Sequence, residues 1–333
     1  MQEDAENAVR MERDASAEEH QEEGLVLDLT GSQLHDLQDV ELPVTLCELD
    51  LTANRLSTLD TRLASISSLC KLSLRQNLLT DASLSPLPEW TSLSSLQELV
   101  LRDNKLTVLP DVRIFTKLYV FDVSFNEISS LKGLSNASAT LKEFYASKNE
   151  LTKMEEMEHL HELELLELGS NKFRVMENLN NMVTLKELWL GRNRIRVVNL
   201  CGLKSLVKIS LQSNRLTSML GFQDCLCLEE LYLSHNGIAK MEGLSSLHNL
   251  RILDVSSNKI ALVKDIAELA RLEDLWLNDN QIASLEGFDR AVAGSLRTLT
   301  TVYIERNPCA TNEYALKLKS VFPNLQQVDS VLF

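Results

Sequence analysis

The sequence predicts an α/β solenoid of about 13 coils, with a parallel β-sheet on its concave side and a C-terminal cap. Asparagine recurs twelve times from Asn54 to Asn307, and nine of the eleven intervals are 21 to 23 residues long. Apolar residues stand five and three positions before each asparagine. Aromatic residues make up only 5% of the chain, so leucine supplies most of the core. Units this short cannot bury an apolar face alone, and they stack into an elongated body.

Each coil follows the pattern L-x-x-L-x-L-x-x-N-x-L, as in LCELDLTANRL at 46–56 and LEELYLSHNGI at 228–238. A degenerate first copy has Ser32 where the asparagine belongs. Apolar residues two apart on a strand share one face, which we expect to be the core. The asparagine amide should lie inside the turn and satisfy buried backbone groups. The pattern therefore predicts a leucine-rich-repeat solenoid.

The chain divides into three predicted parts. Residues 1–23 hold nine acids and two arginines with few large apolar residues, which predicts a disordered acidic tail. The leucine-rich-repeat array is predicted over 24–306 and the cap over 307–333, where EYALKLKSVF at 313–322 indicates a short helix over the last coil. A 27-residue interval containing Pro86 predicts an extended convex segment in which Trp90 packs.

Composition and motifs argue against several classes of function. No apolar run reaches the roughly 20 residues of a membrane helix, and no secretory signal is visible. The net charge of −15 disfavours nucleic acid as a partner. Six scattered cysteines indicate reduced thiols in a cytosolic or nuclear protein. His159 and His161 form only a weak metal signal, and no nucleophile–base pair or phosphate loop is present, so we expect no enzyme, metal or cofactor.

The residues six, four and two positions before each asparagine should form the concave face, because they alternate with the core residues. The column at −4 holds five of the eight Trp and Tyr residues, and the column at −6 holds six acids against two lysines. Tyr and Trp dominate binding hot spots, and carboxylates steer a basic partner. This column pattern predicts a binding face for another protein.

Several segments resemble the leucine-rich-repeat regulatory subunits of protein phosphatase 1. They are VFDVSFNEI (120–128), ELGSN (167–171), LYLSHNGI (231–238), WLNDN (276–280) and VYIERNP (302–308). The resemblance spans residues 100–333 and includes a terminal N-P…Y…P-x-L-x-x-V-D pattern. It implies that the concave face binds the phosphatase catalytic subunit. With Tyr232 from the aromatic column, the candidate partner-binding residues are Asp122, Tyr145, Glu167, Trp189, Tyr232, Asp254, Asp274, Trp276 and Tyr303.

Residue types at these positions match the family closely. Asp122, Glu167, Asp254, Trp276 and Tyr303 have the family's residue type, whereas Tyr145 and Trp189 stand where the family has Phe, and Asp274 where it has Glu. The resemblance implies a non-catalytic subunit, found in nucleus and cytoplasm, that controls the phosphatase's activity or maturation and can join a further inhibitor protein in a ternary complex. The alternative is a leucine-rich-repeat scaffold in a cytoskeletal, ciliary or splicing assembly.

Overall fold

A computed structural model describes residues 24–137, 139–200, 202–311 and 313–333. The predicted disordered tail over 1–23 lies outside these residues. The described strands form one sheet in chain order. They are β1 (Leu25–Asp28), β2 (Leu46–Asp50), β3 (Lys71–Ser73), β4 (Glu98–Val100), β5 (Val120–Asp122), β6 (Glu143–Tyr145), β7 (Leu165–Glu167), β8 (Glu187–Trp189), β9 (Lys208–Ser210), β10 (Glu230–Tyr232), β11 (Ile252–Asp254), β12 (Asp274–Trp276), β13 (Thr301–Tyr303), β14 (Gln327–Val328) and β15 (Val331–Leu332).

Strands β1 to β14 pair in parallel, and equivalent positions of neighbouring coils stand side by side. In the β7–β8 pair, for example, Glu167 aligns with Trp189 and Leu166 aligns with Leu188. The middle residue of each three-residue strand from β3 to β13 is buried, as is Leu49 of β2, while the residues on either side lie on the other face. Residues at the same position relative to the repeat asparagine therefore lie next to one another in rows across the concave surface. The predicted leucine-rich-repeat solenoid is confirmed.

The repeated asparagines hold adjacent coils together. The Nδ2 atom of Asn193 donates to the carbonyl oxygens of Leu168, Leu190 and Gly191 at 3.0, 3.1 and 3.3 Å, and its Oδ1 atom accepts from the Phe173 amide at 3.1 Å. Two of these groups, in Leu168 and Phe173, belong to the preceding coil. The other repeat asparagines make the same kind of contacts, so the predicted position inside the turn is confirmed.

The residue before each of the twelve asparagines has left-handed backbone geometry. Its φ angle lies between 51° and 58° in every case, and glycine is not used at any of them. This conformation turns the chain out of the strand and sends its amide to the next coil, as Ser257 N does to the Asn278 carbonyl at 2.9 Å. A non-glycine residue pays a steric cost there, so each coil stores some strain.

The rest of each coil is mostly turn, with short helices at the longer insertions. These are α1 (Asp81–Leu84), α2 (Phe288–Ala291) and α3 (Tyr314–Val321), and the 3-10 helices Thr61–Ser65, Leu87–Glu89, Thr91–Ser95, Leu134–Asn136 and Ala293–Ser295. The segment around Pro86 is thus helical turns rather than extended chain. Trp90 is only 7% exposed, which confirms that it packs.

The C-terminal helix predicted at 313–322 is present as α3, and it covers the last coil. Asp329 replaces part of the missing next coil, because its Oδ1 atom accepts from the amides of Ile304 and Glu305 at 2.8 and 3.0 Å. Its Oδ2 atom accepts from the Tyr314 hydroxyl at 2.7 Å, and burial together with this bond raises the pKa of Tyr314 to about 12. The cap thus satisfies amides that would otherwise lack a neighbour.

Candidate functional site: the concave surface

The predicted binding residues of the −4 column differ in how much of their surface is exposed. Its aromatic members, from Tyr145 to Tyr303, are half-buried. Asp122 and Asp254 are buried instead, with 9% and 2% of their surface exposed. The expectation that a position in the −4 column leaves a side chain open to solvent is wrong for these two aspartates, because their side chains fold back onto the strand exit.

Three of the aromatic side chains are fixed by a glutamate of the same strand. The hydroxyls of Tyr145 and Tyr232 donate to Glu143 and Glu230 at 2.7 and 2.8 Å. The indole N–H of Trp189 donates to the carboxylate of Glu187 at 3.1 Å. Residues two apart on a strand share a face, and this spacing allows each contact. The −6 glutamates thus orient the rings as well as contributing negative charge.

The surroundings of both tyrosines raise their pKa values. Burial, and then the hydrogen bond to Glu143, raises the pKa of Tyr145. Burial and Glu230 do the same for the pKa of Tyr232. For Glu230 itself burial acts to raise the pKa, but hydrogen bonds from Lys208 and Tyr232 outweigh it and lower the pKa. Each pair is therefore a neutral phenol donating to a carboxylate.

An aromatic cluster closes the C-terminal part of the sheet. The ring of Trp276 meets that of Tyr232 at 6.4 Å and that of Tyr303 at 5.6 Å, both edge to face. Gln327 donates to the Tyr303 hydroxyl at 3.0 Å and fixes it from the cap. The Trp276 indole N–H is buried and finds no hydrogen-bond partner among the described residues. An unpaired buried donor is costly, and a partner that brings an acceptor would relieve the cost.

Lys208 shows what kind of group the aromatic surface accepts. Its Nζ atom lies 5.0 Å from the ring centre of Trp189 and 5.6 Å from that of Tyr232. The same atom forms an ion pair with Glu230 at 2.7 Å. A cation thus binds between two rings and a carboxylate within this chain, and a lysine or arginine of a partner would meet the same chemistry.

The buried aspartates cap strand ends. Asp122 accepts from the Ser124 amide at 2.8 Å, and its nearest cation is Arg102 at 3.9 Å. Burial raises the pKa of Asp122 despite the bond to Ser124. Asp254 accepts from the amide and hydroxyl of Ser256 at 3.0 and 2.6 Å. These two carboxylates therefore stabilise the coil, whatever else they contact.

An open depression of the concave surface gathers most of the predicted residues of the C-terminal half, namely Glu167, Trp189, Asp254, Trp276 and Tyr303. Tyr232 joins it through its ring contact with Trp276. Asp274 lies on β12 two residues before Trp276, and Asp122 and Tyr145 lie on β5 and β6, outside the depression. The site prediction did not include Glu143, Glu187, Glu230 or Lys208. Their two-residue spacing from the aromatics, or their place in the neighbouring coil, could have identified them.

Other site types find little support in the described chain. No group of three or more His, Cys, Asp or Glu side chains there could hold a metal ion. No helix in the same residues is long and apolar enough to cross a membrane. Fold and site together define a leucine-rich-repeat protein with an acidic, aromatic concave surface.

Comparison with known proteins agrees. Residues 228–271 match the family "Leucine Rich repeats (2 copies)". The chain is 64% identical over 96% of its length to the "Protein phosphatase 1 regulatory inhibitor subunit PPP1R7 homolog" of Arabidopsis thaliana, covering 98% of that protein. The chain belongs to this family of phosphatase regulatory subunits, which are not enzymes.

Solved structures share the fold at low sequence identity. An internalin, inlF, of Listeria monocytogenes gives a TM-score of 0.68 at 20% identity, over 92% of this chain and 87% of its own. The protein LIC12759 of Leptospira interrogans gives 0.64 at 23% identity, over 91% and 95%. The leucine-rich-repeat domain of APL1 gives 0.70 at 22% identity, over 86% and 75%. These likenesses support the solenoid fold alone.

Proposed function

We propose that this chain is a non-catalytic regulatory subunit that binds the catalytic subunit of protein phosphatase 1 through its concave surface. The observation that carries the proposal is the row of half-buried aromatic rings held by carboxylates on the concave face. Family membership gives the partner, since the relative in Arabidopsis thaliana is named as a protein phosphatase 1 regulatory inhibitor subunit.

The concave surface has the size that such a contact needs. Thirteen repeat strands at about 4.8 Å spacing give an arc of about 60 Å. A stable protein interface buries about 1,600 Å² in total, and a globular partner seated in this arc can reach that value. The glutamate contacts hold the rings of Tyr145, Trp189 and Tyr232 in place before binding. Less side-chain entropy is then lost when the partner docks.

Charge favours a basic surface on the partner. The column at −6 contributes Glu48, Glu98, Glu143, Glu187, Glu230 and Asp274. Lys71 is balanced by Glu48 and Glu98 at 3.4 Å each, and Lys208 by Glu230. The remaining carboxylates have no cation of their own on this face and raise the association rate of a positively charged partner. Covering a phosphatase in this way controls its activity or maturation without any chemistry by this chain.

We also propose the finer features that the family suggests: a further phosphatase inhibitor protein in a ternary complex, presence in nucleus and cytoplasm, and partners that are proteins rather than nucleic acid or membrane. The net charge of −15 supports the last point. The described cysteines are free thiols, which fits a reducing compartment.

Isothermal titration of the purified catalytic subunit against the full chain tests the partner. We expect a saturable complex of one to one stoichiometry and a change in phosphatase rate at saturation. Capture from a cell extract, with the bound proteins identified by mass spectrometry, serves as the companion measurement. Cytoskeletal, ciliary or splicing proteins without any phosphatase, and no heat of binding in the titration, would establish the scaffold alternative instead.

A further inference from the structure

One stretch of this acidic chain carries positive charge only. Between Glu187 and Asp224 the sequence has no Asp or Glu, and six of the intervening residues are Lys or Arg. The whole chain has 48 acids in 333 residues, so a stretch of this length would ordinarily hold about five. The stretch covers parts of three successive coils, and three of its six basic residues, Arg194, Arg196 and Arg215, lie on one flank of the solenoid.

Four arginines line one hollow on this flank. Arg174, Arg194, Arg196 and Arg215 surround it together with Val175, Met176, Val197 and Asn199. We call this set the arginine patch. Its arginines follow the repeat asparagines by one or three positions, so they lie beyond the turn and away from the concave columns.

The positive charge of the arginine patch is not balanced by carboxylates of the described residues. None of its four guanidinium groups forms an ion pair with a carboxylate of the described residues. Lys172 occupies the equivalent position one coil before Arg194, and there Glu150 pairs with it. An arginine cluster left without acids in a chain of net charge −15 is a strong local exception. Like charges side by side repel, so a patch of this kind costs stability unless a ligand offsets it.

Apolar side chains lie among the arginines. Val175 is 59% exposed and Val197 is 73% exposed, and the two occupy equivalent positions in adjacent coils. Met176 closes the floor of the hollow and is buried. A surface that alternates guanidinium groups with exposed valines offers both charge and apolar contact to one ligand.

We propose that the arginine patch is a second interaction surface that binds an acidic peptide segment of a partner protein. Aspartate or glutamate side chains pair with the guanidinium groups in two-pronged contacts, which arginine geometry favours over lysine. An apolar side chain of the peptide rests on Val175 and Val197. The patch lies off the concave face, so the peptide and the phosphatase can be bound at once.

The surroundings favour a protein over a nucleic acid. A polyphosphate backbone needs cations along its length, whereas this patch spans three coils of an otherwise acidic molecule. A phosphate group would not bury the exposed valines, whereas an apolar side chain of a peptide would remove their surface from water. Charge complementarity therefore selects a short acidic segment with an apolar residue in it.

Fluorescence anisotropy with the full chain tests the proposal. The probe is a labelled peptide of glutamate and leucine about 12 residues long, which exceeds the span of three coils. The variant Arg194→Glu/Arg196→Glu reverses the patch. The matched control, Lys259→Glu/Lys240→Glu, makes the same charge change on exposed residues of the same flank in later coils. Circular dichroism checks that each chain stays folded.

We expect the patch variant to lose about tenfold or more in peptide affinity, the control to stay within about twofold, and binding to weaken with salt. The affinities are measured first on the chain alone, so that the outcome does not depend on the proposed function, and a second series with the phosphatase catalytic subunit present tests whether both ligands bind at once. Equal losses in both variants, or no binding by the unmodified chain, would overturn the proposal. Tighter binding of a single-stranded RNA of the same charge would overturn it in favour of nucleic acid.

Discussion

At the scale of single residues, buried polar side chains stabilise the solenoid by bonding to its backbone. Each repeat asparagine bonds backbone groups of two coils, and the −4 aspartates bond the amides at strand exits. A polar group in these places is paired because an unpaired buried amide costs more than the side chain costs to order. Substitutions at these residues should therefore act on stability first.

We expect Asn193→Ala to lower the free energy of unfolding by roughly 1–3 kcal/mol, because three carbonyls and one amide lose their partner. Asn136→Ala is the control, since the Asn136 side chain is exposed and makes no hydrogen bond with the described residues. Urea denaturation followed by circular dichroism measures both. Equal midpoints for the two variants would mean that the repeat asparagines are not needed to hold adjacent coils.

The buried carboxyl of Asp122 predicts how the stability of the fold depends on pH. Burial raises the pKa of this carboxyl above its ordinary 3.8, so the folded state keeps a proton that the unfolded chain has lost. Stability therefore falls as pH rises from that ordinary value through the raised pKa. Asp122→Asn removes the effect while keeping an acceptor for Ser124, so we expect it to gain stability relative to the unmodified chain as pH rises.

Asp28→Asn is the matched control for this series. A hydrogen bond from the Thr30 backbone lowers the pKa of Asp28, so its ionised form contributes stability that is lost as pH falls through the lowered pKa. Relative to the unmodified chain, Asp28→Asn should therefore lose stability as pH rises, whereas Asp122→Asn should gain it. Urea denaturation across the acidic to neutral range measures both. Parallel trends in the two variants would contradict the assignment for Asp122.

At the scale of elements, the repeat explains what sequence could and could not predict. Strand positions and the Asn turns followed from the period, because every coil repeats the same backbone bonds. Helix α3 followed from its apolar spacing. The side-chain partners of Tyr145 and Trp189 did not, since the repeat gives the face of a residue but not which neighbour it bonds. The burial of Asp254 was missed for the same reason: a carboxylate in a solvent-facing column is ordinarily exposed.

The left-handed residue before each asparagine supplies a test at this scale. Ser257 has φ 51°. We expect Ser257→Gly to be near neutral, because the relief of strain offsets the greater freedom of glycine in the unfolded chain, and Ser257→Val to cost about 1–2 kcal/mol. Ser129→Val, at an exposed residue with ordinary φ, is the control for the added methyl groups. Thermal melts compare the three, and a harmless Ser257→Val would show that this turn stores no strain.

At the scale of the whole molecule, the residues that stabilise the fold and the residues proposed to bind a partner lie on different faces of the coils. Leucines and asparagines hold the solenoid, and the aromatic rings at −4 are left on the concave side with acids around them. Coils contact only their neighbours, so the concave surface keeps its spacing over its full length. Partner binding can then use rings from several coils at once, including Trp189 and Trp276.

The most direct measurement is the affinity of the purified protein phosphatase 1 catalytic subunit for Trp189→Ala and Trp276→Ala. Leu262→Ala, which removes an exposed apolar side chain far from the concave columns, is the control. We expect each Trp variant to weaken binding by about 2 kcal/mol or more, as hot-spot residues do, while circular dichroism stays unchanged and Leu262→Ala binds normally. Undiminished binding by both folded Trp variants would contradict the concave surface as the binding face.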